Sequence, residues 1–138
     1  MIASAGIERE VLIVVCAISA GVHAALTPEH FADGAGPGLG FLAAAVLLAS
    51  LVVGLTYRPV SRITVVGAGA VLAGLIASYA FATTTGVPVL HPAAEPVDGL
   101  ALATKAIEAV GLLAAMHLLW RGRPVVAVTR HHVKGRLT

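Results

Sequence analysis

The sequence contains no asparagine and no glutamine. N-glycosylation is thereby excluded, and side-chain polar contacts between segments fall to Ser, Thr, Tyr, His, Trp or a charged residue. A single cysteine, Cys16, excludes an intrachain disulfide and every CxxC redox or zinc motif. Charged residues are 12% of the 138 residues, against roughly 25% in an ordinary soluble domain. Aromatics are 4%, so few that nothing supports a pigment or quinone site. No nucleophile motif, phosphate loop, HExxH or dinucleotide fingerprint appears, and nothing in the sequence asks for an enzyme.

What is present is apolar. Hydrophobic residues make up 58%, with 15 glycines besides, and the mean hydropathy is +0.93. A soluble chain of this size needs far more polar surface, and a disordered one is poor in apolar residues and rich in charge. The composition is that of an integral membrane protein. The Ala and Gly load suggests a GC-rich bacterial source.

Charges divide the chain into uncharged stretches from Val11 to Pro28, Gly34 to Tyr57 and Ile63 to Leu90. Each approaches or exceeds the ~20 residues that cross a bilayer core. A fourth candidate, Gly99 to Trp120, has the right length but contains Lys105 and Glu108. The expected fold is all-α: a four-transmembrane-helix bundle with helices over about 9–27, 38–57, 62–83 and 99–120, and a basic tail over 121–138. The seven prolines are expected at span ends or in connections, since proline inside a span removes a hydrogen bond. Val22-His23-Ala24 would fit a signal-peptidase site, but the residues before the apolar run, Glu8-Arg9-Glu10, are not basic, so an uncleaved first helix is expected.

Eight of the nine Lys and Arg lie at Arg9, in the second connection (Arg58, Arg62) or in the tail. The other two connections carry Glu29, Asp33, Glu95 and Asp98 and no Lys or Arg. The positive-inside rule places both termini in the cytoplasm of a multi-pass inner-membrane protein, and requires the fourth span to cross. Pro28 with His30, and Pro88 with His91, hint at a parallel repeat of two helix pairs. Tyr79 and Phe81 near the outer end, and Tyr57 and Trp120 at inner ends, are expected as interfacial anchors.

Two sets of residues could carry chemistry. On the outer side, His23, Glu29, His30, His91, Glu95 and Asp98 combine imidazole and carboxylate, which suits a transition metal such as Zn or Cu, although their spacing matches no defined motif. Within the fourth span, Lys105 and Glu108 are spaced to pair on one helix. Glu108, ~15 Å below Asp98, has no route to water and must face the bundle interior or be protonated. Thr104, Glu108, Gly111 and Ala115 form one stripe, and Cys16, Ser19 or Ala20, His23 and Thr27 form another. These faces are expected to meet, gathering His23, Lys105, Glu108 and Thr104 into a polar cluster.

Small-residue ladders on the third span, Gly69 with Ala73 and Ala70 with Gly74 and Ser78, are expected to pack within the chain rather than against a second copy. His117 lies about 180° around its helix from Glu108 and at a different depth from His23, so the two do not fit one haem. The tail carries five basic residues and His131-His132; attraction to anionic lipid accounts for it, and nothing supports nucleic-acid binding.

The leading expectation is a non-enzymatic subunit of a membrane complex, or a homo-oligomer, with the bilayer and other membrane subunits or copies of itself as partners. The alternative is a metal- or proton-linked binding or transport protein. The two differ in whether Glu108 meets protein or a ligand.

Overall fold

The computed structural model describes residues 2–57, 61–86, 94 and 96–122, with side chains from residue 6 onward. His91, Glu95 and the tail from residue 123, His131-His132 included, lie outside the described residues. Four helices follow one another: α1 (Ile2–Asp33), α2 (Ala35–Tyr57), α3 (Arg62–Thr84) and α4 (Gly99–Arg121). All four are long and apolar enough to cross a membrane, as in a multi-pass membrane protein. Their neighbours are α1–α2, α1–α4, α3–α4 and, most loosely, α2–α3. The bundle therefore has a proximal end, holding the N-terminal turn of α1, the α2–α3 connection and the end of α4. Its distal end holds the other two connections.

α1 is longer than the expected 9–27, and Pro28 lies inside it. Proline removes one donor from the ladder. Side chains reinforce the neighbouring turns: Thr27 Oγ1 donates to the His23 carbonyl at 2.7 Å, and His30 Nδ1 to the Leu26 carbonyl at 2.9 Å. The chain reverses at Gly34, whose φ of +156° excludes most side chains. Gly38, in the first turns of α2, lies so close to Phe31 that a Cβ there would run into the ring. This one-residue connection contrasts with the chain from Thr85 to Asp98 that joins α3 to α4, so the repeat suggested by Pro28/His30 and Pro88/His91 is not matched by like connections.

The bundle interior combines leucines and valines with small and polar residues. Ala44, Ala45, Ala68 and Ala115 are buried beside Ser19, Thr27 and Thr104, while Leu39, Leu47, Val53, Leu113 and Met116 are exposed. In lipid, apolar burial gives no driving force between helices; close backbone packing and interhelical hydrogen bonds do the joining. Gly111 brings α4 against Val15 of α1 and Leu72 of α3, and Gly69 faces Ala115. The expected packing of the other ladder is corrected: Ala70, Gly74 and Ser78 are exposed, and nothing lies within 4 Å of a Cβ placed on Gly74. Ala70 and Gly74 face outward because the buried side of α3 carries Val65, Ala68 and Leu72, with Gly69 against Ala115.

At the proximal end α2 and α3 meet closely. A Cβ on Gly54 would lie 3.2 Å from the Thr64 methyl group, and Gly67 faces Leu51. Arg9 ties α1 to the same corner, donating from Nε to the Leu55 carbonyl (2.8 Å) and from Nη2 to the Thr56 carbonyl (2.9 Å). These are carbonyls of the last turn of α2, which no intrahelical N–H satisfies.

Candidate functional site

The buried stripe of α4, Thr104, Glu108, Gly111 and Ala115, packs against the α1 stripe of Cys16, Ser19, His23 and Thr27. Glu108 has no exposed surface. Its Oε1 accepts from Ser19 Oγ at 2.6 Å, and its Oε2 accepts from Lys105 Nζ at 2.7 Å. Both oxygens thus have a donor, which is what an acceptor-only carboxylate in lipid requires. The Lys105 side chain is 13% exposed, and its ammonium lies 5.9 Å from the centre of the Tyr79 ring.

His23 reaches this pair through Ser19. Its Nδ1 is 2.8 Å from the Ser19 carbonyl and 3.4 Å from Ser19 Oγ. Thr104 does not join: its hydroxyl donates to Leu100 of its own helix at 2.8 Å. Ser19 is the residue that makes the connection, and its place on the α1 stripe is the signal that carried it in the sequence.

Above the pair, toward the distal end, lies a cavity of about 320 Å³, within the usual range for small-molecule sites. α1 contributes Val22, His23, Leu26 and His30; α2 contributes Gly40, Phe41 and Ala44; α3 contributes Leu75, Ser78 and Tyr79; α4 contributes Ala101, Thr104 and Lys105. Phe41 takes a face of both imidazoles, its ring centre 5.2 Å from His23 and 3.5 Å from His30. Tyr79 is corrected from interfacial anchor to cavity wall, whereas Phe81, Tyr57 and Trp120 are exposed at helix ends. Phe41 carried no signal in the sequence beyond being one of three phenylalanines.

The described members of the expected outer metal set do not all share one place. Among the described residues no three His, Cys, Asp or Glu side chains gather as a metal site. His23 and His30 share the cavity, but Glu29 is exposed, and Asp98 caps α4 by accepting from the Ala101 N–H at 2.9 Å. His91 and Glu95 lie outside the described residues.

Below the pair the interior is apolar. Leu12, Val15, Cys16, Leu72 and Ala115 are buried between Ser19 and the proximal end. This layer runs ~16 Å along α1 from Ser19 to Glu8. At its far side His117 Nδ1 meets Glu8 Oε1 at 2.7 Å, and Arg121 Nε donates to His117 Nε2 at 3.2 Å. This second polar cluster was missed in the sequence. It follows from antiparallel packing, which sets the first turns of α1 level with the last turn of α4.

Comparison with protein-family models, with curated proteins and with solved structures gives no match to this chain.

Proposed function

We propose that the chain is a non-enzymatic, multi-pass protein of a bacterial inner membrane that binds a small molecule in the distal cavity. Both termini are cytoplasmic in this reading, from the distribution of Lys and Arg, so the cavity opens on the outer side. The observation that carries it is the cavity resting on a charge pair that is already satisfied within one chain. An assembly role for Lys105 and Glu108 would need Glu108 to seek a partner on another subunit, and Ser19 and Lys105 leave it no such need. The apolar layer beneath favours one-sided binding over a conduit, because an ion or proton crossing it would lack polar partners for ~16 Å.

Native mass spectrometry of protein released gently from membranes tests this. The expected result is a small-molecule mass on the wild-type chain that is absent from Ala101→Phe, in which the added ring fills the cavity. Bare protein in both cases, or the same bound mass in both, would overturn the reading.

A further inference from the structure

The hydrogen-bonding inventory of the cavity specifies what would bind in it. His23 and His30 each direct Nδ1 at a backbone carbonyl of their own helix, Ser19 and Leu26. With Nδ1 as donor, each neutral ring keeps a lone pair on Nε2. The hydroxyl hydrogens of Ser78 and Thr104 are likewise spent on Leu75 and Leu100, which leaves their oxygens as acceptors. Two donors belong to other residues of the cavity wall. Lys105 uses one N–H on Glu108 and has two more. The Tyr79 hydroxyl is buried with no hydrogen-bond partner among the described residues. A shielded hydroxyl in that state is rare enough in folded proteins to call for a partner.

Charge narrows the choice. An anion would compete with Glu108 for Lys105 and face imidazole lone pairs and Asp98 at the rim; a cation would face Lys105. A neutral hydroxyl suffers neither penalty. It donates to an imidazole Nε2 and accepts from Tyr79 or Lys105. The rest of the wall is apolar, with Val22, Leu26, Ala44 and Leu75 among it.

Resting on the binding role proposed above, we infer that the cavity takes a neutral, hydroxyl-bearing lipophile that hydrogen-bonds to Tyr79 and the two imidazoles. The test is calorimetric titration of the protein in lipid nanodiscs, with empty nanodiscs subtracted, using 4-hexylphenol, its methyl ether 4-hexylanisole, and octanoate. The phenol is expected to bind roughly tenfold more tightly than the ether, and octanoate more weakly than the phenol. Tyr79→Phe keeps the ring and removes a hydroxyl without a hydrogen-bond partner among the described residues, so the fold should be as stable as before. It is expected to weaken the phenol about three- to tenfold and leave the ether unchanged. Equal, saturable binding of phenol and ether would overturn the hydroxyl assignment and leave the cavity as a binding site. Tighter binding of octanoate would overturn the neutral assignment. Saturable binding of none of the probes would overturn this inference and count against the binding role as well.

Discussion

Lys105→Met is expected to destabilise the folded bundle by about 3–5 kcal/mol, the cost of leaving a buried charge without its partner. The magnitude follows from the burial of both groups: Glu108 has no exposed surface, and the Lys105 side chain is 13% exposed. Solvent therefore does little to screen the pair or to replace the lost ammonium. Lys105→Met combined with Glu108→Gln removes both charges while a carbonyl oxygen remains for Ser19. The double variant is expected to return to within about 1–2 kcal/mol of the wild type, since a buried pair replaced as a unit is often close to neutral. Unfolding followed by circular dichroism in mixed micelles of rising denaturing-detergent fraction measures both. A single variant as stable as the wild type would mean that Glu108 does not depend on Lys105.

The second large effect is steric. Gly111→Val is expected to cost about 2–4 kcal/mol, more than the usual price of one extra methylene in a packed core. A Cβ alone at Gly111 would approach Val15 Cγ1 to 2.5 Å and Leu72 Cδ1 to 3.0 Å, on two different helices. The Leu72 chain end can turn aside, but Val15 Cβ also lies 3.0 Å away, so relief there moves α1 from α4, which would also lengthen the Ser19–Glu108 hydrogen bond. Gly74→Val is the control, because a Cβ there meets nothing within 4 Å. The same unfolding assay is expected to show Gly74→Val within about 0.5 kcal/mol of the wild type, as for surface substitutions generally. Equal losses at the two glycines would contradict the packing described for α4.

These two positions also show what a sequence can tell in a membrane chain. Thr104, Glu108, Gly111 and Ala115 were legible as one face because a carboxylate in a span has to point inward, and helical spacing then fixes its companions. α3 offered no such anchor. It carries small residues on more than one face, and Gly69 and Gly74 look alike in sequence although one faces Ala115 and the other faces outward. Spacing cannot rank two small faces when neither holds a group that lipid excludes. Pro28 was misplaced for a different reason: the rule that proline ends a helix ignores the side-chain bonds from Thr27 and His30 in the neighbouring turns.

The cavity itself was not legible. Its walls come from all four helices, and no single helix's spacing marks them. The proximal pairing of Glu8 with His117 was hidden because the two lie at opposite ends of the chain, and only the antiparallel arrangement of α1 and α4 brings them level. Of the expected outer metal set, His23, His30 and Asp98 line the cavity, while Glu29 is exposed. Residues close in sequence, such as Glu29 and His30, fall on different faces of a continuous α1.

The central claim is a bundle with a cavity reachable from the outer side and an apolar seal below it, and thiol labelling in oriented vesicles tests it most directly. Cys16 lies in the seal with no exposed surface, and in the wild-type chain it is expected to stay unmodified by a membrane-impermeant methanethiosulfonate applied from either side. In a Cys16→Ala background, Ala101→Cys places a thiol on the cavity wall, and it is expected to react from the outer side and not from the cytoplasmic side. Modification of Cys16 in the folded protein, or reaction at position 101 from the cytoplasmic side, would contradict the account.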